Sequence, residues 1–282
     1  MNKKILALVL ALVMMLSLAA CGGNGGETTT AAGDTTAAEE TASDLAYILD
    51  KGEMVIGYTE FAPMNYKDDN GEFVGFETEF AKAVCKELGV NAKFQLISWE
   101  AKETELKSKN IDCIWNGMTI TPEREETMSI STPYMANKQV LIVKKDNADK
   151  YLKAEDMKDV NIVAEAESAG EEVAKSDEFF ASAKYTPVED QKTALMEVAS
   201  GTADACVVDY VLSIGMIGEG TDYEDLVVVE SLAFADEQYG IAFRKGSDTT
   251  AKVNEIITKL VENGELGKIA DTYKLSEQII AK

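Results

Sequence analysis

The chain has 282 residues, a formal net charge of −23 and no histidine. The acidic balance excludes a nucleic-acid surface, which needs clustered Lys and Arg. The missing histidine removes His-based triads, His metal sites and imidazole proton shuttles together. No cofactor and no metal is expected, and the length suits one large domain or two small ones.

Residues 1–20 read as a secretory leader: Lys3 and Lys4 precede an apolar run from Ile5 to Leu16. The leader ends in Leu18-Ala19-Ala20-Cys21. Residues 22–44 are Gly, Thr, Ala and acids without periodicity, a flexible tether with a reach of about 25 Å. No later apolar run reaches the ~20 residues needed to cross a bilayer. Cys85, Cys113 and Cys206 match no zinc or redox spacing and read as small buried hydrophobes.

From Leu45 the pattern becomes globular. Glu53 to Tyr58 is a predicted strand, followed by a loop through Phe61-Ala62-Pro63 and a turn at Asp68-Asp69-Asn70-Gly71. Phe76, Phe80, Val84 and Leu88 recur every four residues as the buried stripe of a helix that Gly89 stops. Phe94 to Ile97 is a strand, Glu100 to Asn110 a polar helix, and Ile111 to Trp115 a short buried strand. Gln139 to Val143 is a strand crossing into a second lobe. Asn161 to Ala166 follows, then Ser168 and Glu171 as a reciprocal capping box opening a helix to about Phe179. A helix over Asp190 to Ser200 and strands over Asp204 to Val208 and Val227 to Val229 complete that half. Glu237 to Phe243 crosses back as a strand. Thr249 to Asn263 is a helix with Val253, Ile256, Ile257, Leu260 and Val261 on one face, and a shorter helix through Leu266, Ile269 and Ala270 closes the chain.

The most informative stretch is Asn116-Gly-Met-Thr-Ile-Thr-Pro-Glu-Arg124. Thr121 and Pro122 read as N-cap and first helical residue, which puts Arg124 in the first turn, the wrong end for a cation. Either Glu123, Glu125 or Glu126 neutralises it on a solvated surface, or the guanidinium turns toward a bound carboxylate, whose geometry it matches. A weaker signal is an internal echo: Glu105-Leu-Lys-Ser108-Lys-Asn-Ile-Asp112 resembles Glu197-Val-Ala-Ser200-Gly-Thr-Ala-Asp204. Each is a helix end, a turn and a buried strand, the first leading to Asn116 and the second to Asp209. In open α/β sheets ligands sit beyond such strand ends.

The run from Trp115 to Arg124, continued by Ser131-Thr-Pro-Tyr134, resembles the extracytoplasmic amino-acid-binding proteins of ABC importers, solute-binding protein family 3. Phe61-Ala62-Pro63, Gly71…Gly75-Phe76, Trp99-Glu-Ala-Lys-Glu103, Val207-Val208-Asp209 and Tyr239 to Gly246 extend the resemblance over nearly all of residues 45–282. It implies an α/β fold of two Rossmann-like lobes joined by a two-strand hinge, the type II periplasmic-binding-protein fold. Lobe 1 would be residues 45–138 plus 238–282, and lobe 2 residues 139–237. Leu18 to Cys21 resembles a bacterial lipobox, with Cys21 as the lipidated N-terminus of the mature chain.

The resemblance assigns Arg124, helped by Thr119, to a ligand α-carboxylate, and Asp209 to the α-ammonium, with Asn116 or Gly117 carbonyls assisting. Phe61 and Trp99 would wall the side-chain pocket, Trp99 exposed to the cleft, with Trp115 in the core. Asp209 has a second reading, as cap of the helix that begins at Tyr210. Ser168 and Ala169 would open the second-lobe helix toward the carboxylate. Glu167 stands where the family usually has Gly, which leaves the path of that loop open. Tyr58 stands where the family often has an acid, which makes Glu60 a candidate acid. The implied function is capture of a free polar amino acid (glutamine, cystine or a basic amino acid) outside the bacterial cell. A monomer held at the membrane by its lipid would deliver it to an ABC permease and its ATPase. An extracellular lyase using carboxylates on the same scaffold, or a sensory module, are the competing readings.

Overall fold

A computed structural model describes residues 43–282; the leader, Cys21 and residues 22–42 of the tether lie outside the described residues. Ser43 and Asp44, assigned to the tether from sequence, open a helix instead, Asp44–Lys51. The Ser43 hydroxyl caps the N–H of Ala46 at 2.9 Å, and Asp44 pairs with Arg244 at 2.8 Å. A polar composition hid a helix start whose partner lies two hundred residues away.

Two mixed sheets organise the rest. The first runs in the order Asn91–Leu96, Glu53–Tyr58, Cys113–Ile114, Ala242–Arg244, Met128–Ile130. Glu53–Tyr58 is parallel to both its neighbours, and Ala242–Arg244 runs against both of its own. Helix Phe76–Leu88 covers this sheet through Phe76, Phe80 and Val84, all buried, as the four-residue spacing requires. Helix Thr249–Glu262 adds Val253, Ile256, Ile257 and Leu260 to the same core.

The second sheet runs Leu226–Val228, Met135–Lys144, Ala205–Asp209, Asn161–Glu165, Lys184–Val188. The edge strand Lys184–Val188 has no counterpart in the sequence reading. Much of it is exposed and it contains Pro187, so neither alternation nor a hydrophobic run marks it. In the same half the helix after Ser168 ends at Ser176, short of Phe179, because Asp177 takes an extended backbone and caps a separate single turn, Glu178–Phe180.

Two crossing strands join the halves. Met135–Lys144 starts four residues before the expected Gln139 and pairs antiparallel with Phe234–Tyr239. The return is broken: Ala242–Arg244 is a separate strand after Gly240, where a Cβ would press into Ile130 and Ile120. A bulge at Ala235 (φ 29°) interrupts the pairing. The C-terminal tail laces onto the base of the first crossing strand, with Ile279 bridged to Met135 and the Ile280 N–H on the Tyr134 carbonyl at 3.0 Å.

The internal echo has a structural meaning. Asp112 accepts the Val55 N–H at 2.7 Å and Asp204 accepts the Asn161 N–H at 2.9 Å. Each aspartate also donates its own N–H to the same residue's carbonyl. In both halves an aspartate at the foot of one strand pins the start of its parallel neighbour. The three described cysteines, Cys85, Cys113 and Cys206, are free and buried.

Candidate functional site

The motif loop leaves the strand Cys113–Ile114 and enters helix Pro122–Thr127, with Thr121 capping as expected: its hydroxyl accepts the Arg124 N–H at 3.3 Å. Arg124 does not pair with Glu123, Glu125 or Glu126. Its guanidinium turns inward and donates to the Thr119 carbonyl at 2.8 Å and, across to the second half, to the Glu167 carbonyl at 3.4 Å. Burial pulls its pKa below the usual value, and the nearby negative charges of Glu237, Glu172, Asp209 and Glu103 offset part of that.

Facing it is a buried acidic pole built on the crossing strands. Asp209, at the end of strand Ala205–Asp209, and Glu237, on the returning strand, share two amide side chains. Asn137 Nδ2 donates to Asp209 Oδ1 and to Glu237 Oε2 (2.9 Å), and Gln139 Nε2 donates to Asp209 Oδ1 (2.7 Å) and to both Glu237 oxygens (3.1 and 3.2 Å). Gln191 donates to Asp209 Oδ2 and Thr119 Oγ1 to Glu237 Oε2 (3.2 Å). The Tyr239 hydroxyl lies beside Asp209 but makes no hydrogen bond of ordinary geometry. Asp209 precedes helix Tyr210–Met216 without capping it by its side chain. Its carboxylate, with about four acceptor positions, keeps room for one further donor.

These carboxylates are perturbed because they are dry and of like sign. Burial, then the Asp209 charge, pushes Glu237 up to about 7, against the donors from Asn137, Gln139 and Thr119. Asp209 is raised by burial, partly countered by its amide donors. Glu165, buried at the end of strand Asn161–Glu165, is raised well above the ordinary value by burial and then by Asp209 and Asp190.

The remaining expected residues divide. Thr119 and Ala169 line one cavity of about 710 Å³ with Glu237 and Glu172. Arg124 and Ser168 line an adjoining one of about 490 Å³ with Lys102 and Glu167. Glu60 and Phe61 face a different cavity, about 360 Å³, with Lys192 and Gly215, so Glu60 is not brought to Arg124. Phe61 does reach the motif, since a Cβ on Gly117 would lie 2.5 Å from its ring. The Asn116 side chain is used inside its own half, accepting from Thr59 and donating to the Thr59 carbonyl (2.9 Å) and Asn65 (3.0 Å). The Gly117 N–H bonds the buried Glu77 carboxylate, which burial lifts to about 7.

Two expectations are corrected. Trp99 is not exposed to the cleft: only 4% of it is accessible, because it joins the apolar cluster of Val55, Leu106 and Ile114 and Lys102 folds back over the indole, 4.9 Å from ring centroid to ammonium. The capping box at Ser168 is only half formed. Ser168 Oγ accepts the Glu171 N–H, but Glu171 Oε2 takes the Glu167 N–H at 2.7 Å instead of that of Ser168. The reason is Glu167 itself, which adopts φ 59°, a left-handed turn that suits glycine. The loop keeps that turn at a conformational cost.

Sequence reasoning missed Lys102, Glu165, Gln139, Asn137 and Gln191. Lys102 is buried, its ammonium on the Trp99 and Glu167 carbonyls (3.2 Å each), and burial with the Arg124 charge lowers it to about 8. A lysine in a polar helix, and amides alternating in a strand, look like surface. The position of Lys102 directly before the Glu103–Lys107 pair was the one faint sign of a face turned inward.

Comparison with known proteins fits this geometry. The chain is 30% identical over 234 residues to the arginine-binding extracellular protein ArtP of Bacillus subtilis, covering 81% of this chain and 88% of ArtP. It is 27% identical over 228 residues to the L-cystine-binding protein TcyJ of Escherichia coli, covering 80% and 84%. The crystal structure of the ancestral amino acid-binding protein AncCDT-1, a precursor of cyclohexadienyl dehydratase, matches with a TM-score of 0.72 at 35% identity, covering 82% of this chain and 99% of that one. All three are named as binding proteins, and the two-lobe α/β fold of the type II periplasmic binding proteins is shared. The model of the bacterial extracellular solute-binding proteins, family 3, matches residues 54–276, and the chain belongs to that family.

Proposed function

We propose that this protein captures a free polar amino acid outside the cell and passes it to an ABC-type permease, anchored by lipid at Cys21. On this reading residues 45–138 and 238–282 form the lobe that carries Arg124, and residues 139–237 the lobe that carries Asp209. The observation that carries it is the opposition of a half-buried guanidinium and a buried acidic pole across the crossing strands. A zwitterion taken out of water needs both charges met, or desolvation dominates. Arg124 meets the α-carboxylate by exchanging the Thr119 and Glu167 carbonyls for it, and Asp209 offers its remaining acceptor position to the α-ammonium. Contacts from both lobes made only in the closed form are what shift the population toward closure.

The test is calorimetry with the free amino acids on the wild type and on Arg124→Ala. At least one amino acid binds the wild type, and the variant loses about 2–5 kcal/mol, the cost of removing one partner of a buried charged pair. Equal affinity in the two proteins rejects the site. Recovery of the ligand chemically unchanged after long incubation separates binding from lyase chemistry.

A further inference from the structure

Two adjacent parallel strands of the second sheet end at Asp209 and Glu165, and Gln139, within the strand Met135–Lys144, lies opposite Asp209 on the other side. Glu165 is 3% exposed and its Oε1 has no hydrogen-bond partner, while the Gln191 amide beside it is spent on Asp209. Gln139 Oε1, whose amide nitrogen serves the carboxylates, is equally buried and unpartnered. A buried acceptor left empty costs about 1–3 kcal/mol, more when charged. Lys102 comes near Glu165 from the first half but spends its hydrogen bonds on the Trp99 and Glu167 carbonyls.

The electrostatics point the same way. Burial and like charge hold Glu165 and Glu237 above the ordinary carboxylate range, so neither ionises freely in the empty fold. A zwitterion with a neutral side chain, or double-headed cystine, brings no side-chain cation to offset that burial. A ligand with a positive side chain favours the ionised carboxylate and supplies donors to the empty oxygens.

Building on the reading of the site as an amino-acid clamp, we infer that Glu165 selects the ligand. Its carboxylate receives a cationic group on the ligand side chain, so the amino acid bound is one that carries a guanidinium or an ammonium there. Gln139 Oε1 is the second acceptor on the same sheet end. Glu165 acts on the choice of ligand, and Arg124 on whether an α-amino acid is held at all.

The experiment is titration calorimetry of the wild type and of Glu165→Gln with L-arginine, L-lysine, L-glutamine and L-cystine. The wild type is expected to bind arginine or lysine at least about tenfold more tightly than glutamine or cystine. Glu165→Gln is expected to lose about 10–100-fold for the basic ligand, the range for a hydrogen bond to a charged group, with glutamine affinity changed less than about threefold. Preference of the wild type for glutamine or cystine overturns this inference and leaves the amino-acid clamp standing. A Glu165→Gln protein that keeps its basic preference also overturns it. Binding of none of the four overturns this inference, and binding of none of the free amino acids overturns the clamp as well. The ligand order of the wild type decides the matter even if the variant fails to fold.

Discussion

Replacing Glu237 by Gln removes one of two carboxylates held together by Asn137 and Gln139 on the crossing strands. Glu237 is lifted from an ordinary 4.5 to about 7 by burial and the Asp209 charge. The folded chain therefore holds a proton that the unfolded chain gives up. Below about pH 4.5 the group is protonated in both states and costs nothing. As pH rises toward 7 the unfolded state binds fewer protons, so stability falls, and above 7 the loss is complete. At roughly 1.36 kcal/mol per pH unit between those values, the full loss is about 3 kcal/mol. Gln cannot ionise and escapes it, although Arg124 then gives up part of the attraction that offsets its own burial. Urea unfolding from pH 5 to 8.5 measures the difference. The variant should gain stability over the wild type as pH rises, by about 1–3 kcal/mol at pH 8, and by less than about 1 kcal/mol near pH 5. A difference that stays constant with pH would show that Glu237 keeps an ordinary carboxylate pKa in the fold, and the reasoning would fail.

Glu167→Gly should stabilise the protein by about 0.5–1 kcal/mol, because relief of a left-handed residue (about 1–2 kcal/mol) outweighs the extra freedom of glycine in the unfolded chain. Glu167→Ala retains the Cβ at φ 59° and should gain nothing; thermal unfolding of the pair distinguishes backbone strain from a side-chain effect. Gly215→Ala places a Cβ 2.8 Å from Pro63 Cδ across the lobe contact, so it should weaken ligand binding while the melting temperature holds or rises, since Ala suits a helix interior. Unchanged affinity by calorimetry would remove Pro63 and Gly215 from the closure contact. Asp112→Ala, which removes the acceptor of the buried Val55 N–H and the partner of Lys51 while Arg244 keeps Asp44, should cost about 2–3 kcal/mol. Asp204→Ala, which loses the acceptor for the Asn161 N–H, should cost about 1 kcal/mol; similar losses in urea denaturation would contradict the different roles of the two echoing aspartates.

The parts of this molecule that follow from local chemistry were readable in the chain. The stripe of Phe76, Phe80 and Val84, the stop at Gly89 and the cap at Thr121 all depend on residues within one or two turns. The orientation of Arg124 was readable as a misplaced cation, but not its partners, which come from residue 119 on one side and 167 on the other. Of the acidic pole only Asp209 was readable, through the family resemblance and its place at a strand end. Asn137, Gln139, Gln191, Asp209 and Glu237 meet only because strands from distant segments are hydrogen-bonded in register, with Asp209 opposite Gln139 and Glu237 opposite Asn137. Glu165 ends an apolar strand and resembles a residue leaving the core for solvent; only the sheet order turns it inward. The strand Lys184–Val188 was missed for the opposite reason, a half-exposed edge that lacks a periodic signature.

The tail that laces Ile279 and Ile280 to Tyr134 and Met135 fixes one foot of the first crossing strand to the Arg124-bearing half. The connection between the halves that the tail leaves unlaced is the span beyond Met135, opposite the kinked backbone at Ala235. A fluorophore fused after Lys282 is carried as a stationary beacon on that half. Paired with a second dye on the far half, near Lys145, it would turn the opening stroke into a change in energy transfer and make this receptor a ready optical gauge of its own ligand.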